Sequence, residues 1–238
     1  MKTYLSMIVL GSLFLCQPLK AQEGIFKDFN TFYSLYVHLG KVKYDQIQYN
    51  RDLIELLVKR IGEQSLNRQS DDFKAAFYIN AYNLLTIYQI VENYPGIQSV
   101  MDIHGFFKGR KFLVAGNYMT LDELEFKGLF EIEKDPRYHF ALVCGAQSCP
   151  LLYNQAFVPE QLDKQLDARA RVILNFEDYV DSSNGQLSLF KVMDWYRADF
   201  AANKSLIAWI NDFRDSPIAE GTPIVYAEYD WKLNKAEQ

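Results

Sequence analysis

Cysteine is scarce in this chain: three occur in 238 residues. One of them, Cys16, falls in the N-terminal leader described below. Cys144 and Cys149 are therefore either each other's partner or parts of a site. Histidine is equally sparse, at three. There is no internal repeat, no low-complexity tract and no Pro/Gly-rich linker, so one domain is the economical expectation. Apart from the N-terminus, no apolar run approaches the roughly 20 residues of a membrane-spanning helix. Basic charge is also in deficit, with 25 Lys and Arg against 30 Asp and Glu and a net charge of −5. A nucleic-acid role calls for a concentrated basic footprint, which this balance discourages.

Residues 1–21 read as a signal peptide. Lys2 supplies a short positive start, Tyr4 to Cys16 an apolar stretch of secretory length, and Leu19-Lys20-Ala21 a small residue before Gln22. Export to the periplasm or beyond the cell is the expectation, with residues 22–238 as the exported domain. A lipoprotein anchored at Cys16 is the weaker alternative, because bulky Leu15 precedes the cysteine. Loss of Lys2 and Lys20 leaves 23 basic against 30 acidic side chains, or −7. An oxidising compartment favours a Cys144–Cys149 disulfide.

Aromatic residues are abundant, with 16 Tyr, 17 Phe and 3 Trp. They suit bulky packing and a groove for an extended or ring-bearing ligand. Helical periodicity runs from Ile25 to Leu39 and stops at Gly40. A second helix starts at Asn50, with Leu53, Leu56, Leu57 and Ile61 on one face. The strongest helix begins at Ser70-Asp71-Asp72 and runs to about Tyr94, before Pro95. Phe73, Phe77, Asn80, Leu84, Ile87 and Val91 share its inner stripe, with Asn83 one turn on. Inward asparagines are costly unless bonded, so they either tie down backbone or stabilise chemistry. Thr120 and Glu123 form a capping-box pattern over a helix from Leu121 to Phe130. Tyr138 to Val143 reads as a central strand, and Pro159 opens a helix to about Phe176. Short extended pieces lie at Val42–Tyr44, Lys111–Ala115, Leu187–Leu189 and Ile224–Tyr229. Helices are expected at Lys191–Phe200 and Ser205–Arg214. Without regular β-α alternation, the expected class is α+β: a helix-rich single domain around a small sheet of short strands.

The candidate chemistry centres on RYHFALVCGAQSCPLL. A cysteine nucleophile needs a lowered pKa, commonly from a neighbouring histidine. In a strand over 138–144, His139 and Cys144 would face opposite sides. Cys149, beyond the turn, is then the expected partner of His139, with Cys144 as core filler or disulfide partner. Asn80 or Glu125 would orient the imidazole. Metal binding by His139, Cys144 and Cys149 is the weaker reading, because their spacing is unlike common zinc pairs and no fourth ligand is evident. No metal or cofactor is expected.

Several ordered blocks together resemble the domain-of-unknown-function family 547. They are Phe73 to Asn83, Leu121 to Glu125, Asp135 to Pro150, Asp194-Trp195-Tyr196 with Asp199-Phe200, and Tyr229 to Asn234; the likeness spans about Val42 to Asn234. The family often carries a histidine after the glutamate that matches Glu125, where this chain has Phe126. Some family members are joined to glutaredoxin-like modules, so the resemblance implies thiol chemistry as an association.

The first functional expectation is a cysteine-dependent hydrolase or acyltransferase acting on an envelope peptide, amide or ester. Its catalytic candidates are Cys149, His139, Asn80 and Glu125, and its binding candidates are Asn83, Cys144, Trp195 and Tyr196. Two alternatives stay open: a binding module for a small-molecule or peptide ligand stapled by Cys144–Cys149, and a thiol-redox protein.

Overall fold

The computed structural model describes residues 19–183 and 185–237. The expected leader, 1–21, lies outside the described residues except for its last three; Cys16 also lies outside. No described helix is long and apolar enough to cross a membrane.

The fold is α+β and rich in helix. Helix α1 (Leu19–Tyr36) buries Ile25, Phe29, Phe32 and Tyr33 at helical spacing. It leads into a hairpin of β1 (Val37–His38) and β2 (Lys41–Val42), with Val37 opposite Val42. Leu39 and Gly40 form the two-residue turn, both with positive φ (49° and 79°), as the twist of such hairpins favours. Gly40 therefore closes a hairpin rather than stopping the helix. Helix α2 (Tyr44–Tyr49) precedes α3 (Asp52–Glu63), whose buried face is Ile54, Leu57 and Ile61. Leu56, expected on that face, is exposed.

Helix α4 (Asp71–Asn93) is the centre of the fold. Ser70 Oγ accepts from Phe73 N at 3.2 Å, a cap of about 1 kcal/mol. Its buried residues lie all round the cylinder, as expected of a helix enclosed by others. After a hairpin of β3 (Phe112–Val114) and β4 (Asn117–Met119), Thr120 and Glu123 exchange hydrogen bonds of 3.1 Å in the expected capping box. They start α5 (Leu121–Glu123), which passes directly into a π-helical turn over Leu124–Leu129.

Residues 138–143 are not a strand. Pro136–Phe140 is a 3₁₀ turn capped by Asp135, whose carboxylate accepts from Arg137 N at 2.9 Å. Proline at the first helical position fixes φ and has no N–H to leave unpaired. The apolar run that suggested a strand begins in this buried turn and continues over 141–143 as buried irregular chain, which periodicity alone cannot separate from a strand. The alternation of His139 and Cys144 across a sheet falls with it.

Downstream, a 3₁₀ turn at Pro159–Gln161 leads into α6 (Leu162–Leu174). A three-stranded sheet contains β5 (Val180–Asp181), antiparallel to β6 (Leu187–Leu189), and β7 (Ile224–Tyr226), parallel to β6. Between β6 and β7 lie α7 (Val192–Trp195), α8 (Arg197–Phe200) and α9 (Leu206–Asn211). The core has two parts: one around α1–α4, the other built from α6, α9 and the three-stranded sheet. Tyr138, Ala141 and Val143 pack into the first and Phe140 into the second, so the 3₁₀ turn lies at their junction.

Candidate functional site

Cys144 and Cys149 are joined in a disulfide with a Cα separation of 6.4 Å, within the usual range. The loop between them turns at Gly145, whose φ of +84° suits glycine and where a Cβ would meet Ile90. The C-terminal strap holds this loop. Asn234 N donates to Gly145 O at 2.9 Å, and Gln147 N donates to Lys232 O at 2.7 Å. Ala146 also bridges Leu233.

That strap brings Tyr229 onto the disulfide. Its Oη lies 3.1 Å from each sulfur. Disulfide sulfurs carry no proton, so the phenol is the donor. Burial raises the Tyr229 pKa, which keeps that proton in place. Cys149 Sγ accepts a second hydrogen bond, from Cys144 N at 3.0 Å. The two residues thus differ: Cys149 is 5% exposed and its sulfur accepts from Cys144 N as well as from Tyr229, while Cys144 is partly exposed and its sulfur has the Tyr229 contact.

His139 stacks between Tyr196, at 3.7 Å between ring centroids, and Phe130, at 4.8 Å. Its Nε2 lies 2.8 Å from Asp199 Oδ2. Burial pushes the imidazole pKa down, and Asp199 opposes this without overcoming it. The neutral ring therefore donates Nε2–H to the Asp199 carboxylate.

Glu125 comes from the π-helical turn, where Phe130 N bonds Glu125 O at 3.0 Å, five residues back. Such turns recur at functional positions because they re-aim one side chain. The carboxyl is 8% exposed and accepts from Tyr196 Oη at 3.2 Å. Burial pushes its pKa up to about 7; the Tyr196 bond opposes the rise, and Asp122 and Asp199 add to it. At neutral pH it can hold or release a proton.

These groups line one cavity of about 290 Å³. Its walls include Tyr82, Glu125, His139, Cys144, Cys149, Trp195, Tyr196, Tyr229 and Trp231. Trp195 lies 4.7 Å from Tyr229 and 5.8 Å from Trp231, ring to ring. Phe126, at the position where the resembled family often has histidine, is a half-exposed part of the lining.

The candidate residues divide accordingly. Cys149 and His139 share the cavity, but the Cys149 sulfur is bonded to Cys144 and His139 Nε2 to Asp199. The expected thiol–imidazole pair is not formed. Asp199, rather than Asn80 or Glu125, orients the ring. Asn80 is spent on structure: Nδ2 donates to Ala76 O at 2.7 Å and Phe157 O at 2.8 Å, and Oδ1 accepts from Phe157 N at 3.1 Å. Asn83, a binding candidate, likewise ties down Ala141 O and Val143 N, each at 2.8 Å. Glu125, Cys144, Trp195 and Tyr196 do line the cavity. Tyr229, Asp199, Tyr82 and Trp231 were missed as site residues. Tyr229, Trp231 and Asp199 stand within the resembled C-terminal blocks, and Tyr82 within the α4 block, but nothing in those blocks gave them roles.

Residues 66–173 match the family model described as "Protein of unknown function, DUF547". Neither a curated protein nor a solved structure matches the chain.

Proposed function

We propose that the protein is a thiol–disulfide redox protein working through Cys144–Cys149. One observation carries the reading: Cys149 Sγ receives hydrogen bonds from Cys144 N and Tyr229 Oη, at 3.0 and 3.1 Å, in an open cleft. Tyr229 Oη is equidistant from the two sulfurs, so the added bond from Cys144 N is what makes Cys149 Sγ the better seat for negative charge and the better leaving group.

The co-reactant is a dithiol. One of its thiolates attacks Sγ of Cys144, the more exposed residue of the pair, and forms a mixed disulfide. The Cys144–Cys149 bond breaks, and its electron pair passes to Cys149 Sγ as a thiolate held by the two donors. The second thiol, deprotonated, then attacks its own sulfur in the mixed disulfide and releases Cys144. Two electrons and two protons have moved from the dithiol to the cysteine pair, and the dithiol leaves as a disulfide. Glu125, in the same cavity with a pKa of about 7, is suited to take up and return a proton during the exchange. An exported location fits this reading, because an oxidising compartment keeps the pair oxidised between turnovers.

The hydrolase reading needs a free Cys149 thiolate, whereas in this arrangement the Cys149 sulfur is bonded to Cys144. A structural staple is the remaining alternative. The strap bonds to Gly145 and Gln147 favour it, because they hold the loop in place independently of any chemistry.

The test is equilibration of the purified oxidised protein with mixtures of reduced and oxidised glutathione, read by alkylation and intact mass. Redox function predicts a midpoint inside the range such mixtures span and a Cys144–glutathione adduct trapped in Cys149→Ser. A Cys144–Cys149 bond that survives reducing glutathione for a day rejects it in favour of the staple.

A further inference from the structure

We infer that the cleft beside the disulfide binds an alkylammonium group, of the kind a lysine side chain carries, between its aromatic rim and the carboxylate of Glu125. This names the ligand class of the same cleft and rests on the redox reading only in sharing it.

The first support is a buried carboxylate with no cation. Among the described residues, the sole hydrogen bond to the Glu125 carboxylate comes from Tyr196 Oη, and no Lys, Arg or His pairs with it. The charged neighbours that act on it, Asp122 and Asp199, have its own sign. His139 is neutral and turned to Asp199. Lys108, the one lysine or arginine lining the cavity, is 78% exposed and lies 3.5 Å from Asp122 instead. A carboxylate in such a place is stabilised by a cation brought from outside.

The second support is independent and comes from the rings. Trp195, Trp231 and Tyr229 form a cluster with centroids 4.5 to 5.8 Å apart, and Tyr196 and Tyr82 continue the lining inward. Aromatic faces attract cations, most strongly when water is excluded. Elsewhere in the protein rings are covered in this way: Arg110 lies over Phe112 at 4.7 Å, and Lys235 over Tyr94 at 5.2 Å. None of the cation–π contacts among the described residues uses a ring of the cleft. Trp195, at 47% exposure, remains open to solvent at the rim.

Size and sign narrow the occupant. About 290 Å³ lies at the lower end of small-ligand sites and suits one side chain rather than a folded segment. An anion would meet Asp122 and Glu125. An uncharged chain would bury the Glu125 carboxylate without compensation. A primary ammonium satisfies the carboxylate and the ring faces together.

Binding is measured on oxidised protein at pH 8, by calorimetry and tryptophan fluorescence, so that no redox step enters. The probes are Nα-acetyl-lysine N-methylamide, its norleucine counterpart, which lacks the ammonium, n-butylammonium and cellobiose. The lysine compound is expected to saturate and to bind about tenfold or more tightly than the norleucine compound. Similar binding by n-butylammonium would identify a free amine as sufficient; binding by the lysine compound alone would identify a peptide side chain. Glu125→Gln and, separately, Trp195→Ala should each weaken lysine-probe binding about fivefold or more. Trp195 is exposed enough that its variant should fold even if the Glu125 variant does not. Equal binding of the lysine and norleucine compounds, preference for cellobiose, or no saturation by any probe overturns the inference. Each of these outcomes leaves the glutathione experiment untouched.

Discussion

The phenol of Tyr229 lies 3.1 Å from Cys149 Sγ, although 80 residues separate the two in sequence. The C-terminal strap creates this relationship by bonding to the loop between the cysteines and carrying Tyr229 over it. Tyr229→Phe removes one of the two donors to Cys149 Sγ while retaining the ring. A hydrogen bond to a charged group contributes about 1.5–3 kcal/mol, so the rate of disulfide reduction by a dithiol should fall about 10- to 100-fold. Stopped-flow measurement of thiol appearance in both proteins checks this. An unchanged rate would remove Tyr229 from the chemistry and leave it as packing.

Asn83 fixes the approach to the site from the other side. Its amide holds Ala141 O and Val143 N, the backbone just before Cys144. Asn83→Ala leaves both groups buried without that partner, and the expected loss of stability is about 2–4 kcal/mol. Urea denaturation measures it. Asn80→Ala should cost a similar amount by releasing Phe157 N and O. With the disulfide oxidised in both variants, the Asn83 variant should also speed reduction by glutathione, because its loop is loosened; the Asn80 variant should not. Equal reduction rates in the two would show that Asn83 has no special hold on the cysteine loop.

Much of the helical frame could be read directly. Ser70 as a cap, Thr120 with Glu123 as a capping box, and the inner stripe of α4 are all local patterns with local physical causes. The inward position of Asn80 and Asn83 was equally legible, and their role as backbone ties is what buried amides require. The apolar run over 138–143 has the composition of a strand, but the Asp135-Pro136 pair before it sets a different local structure. Aspartate followed by proline is the start signal of a helical turn. The site was harder to read because its contacts are distant in sequence. His139 meets Asp199 60 residues on, and both sulfurs meet Tyr229. No periodicity encodes such contacts, and the choice of Glu125 as the buried acid depends on a π turn that shifts the helix register.

Gly145 offers a test of how tightly the cysteine loop is packed. Gly145→Ala places a methyl group against Ile90 on a backbone with φ of +84°, and about 3 kcal/mol should be lost. Gly116→Ala is the control. Its φ is +81°, but no atom lies within 4 Å of the added carbon, so it should cost only about 1 kcal/mol. Equal losses by urea denaturation would show that the backbone angle, and not packing against α4, sets the requirement at 145.

Glu125 links the site to pH. Its pKa stands at about 7 in the folded protein against an ordinary 4.5. A raised carboxyl pKa means that the folded state binds the proton more tightly than the unfolded chain does. The corresponding stabilisation is fully present below about pH 4.5 and is lost as pH rises through 7. It amounts to roughly 3 kcal/mol across that window. His139 acts in the opposite sense, since its lowered pKa removes stability as pH falls below its ordinary 6.5. Wild-type protein alone therefore shows only the sum of the two. Subtracting Glu125→Gln isolates the carboxyl, because His139 titrates in both proteins and glutamine keeps an acceptor for Tyr196 Oη. Wild-type stability relative to the variant should decline by roughly 3 kcal/mol between pH 4.5 and pH 8, as measured by urea denaturation. A flat difference would mean that the carboxyl titrates at its ordinary pKa, and a neutral-pH proton carrier in the cleft would have to be sought elsewhere.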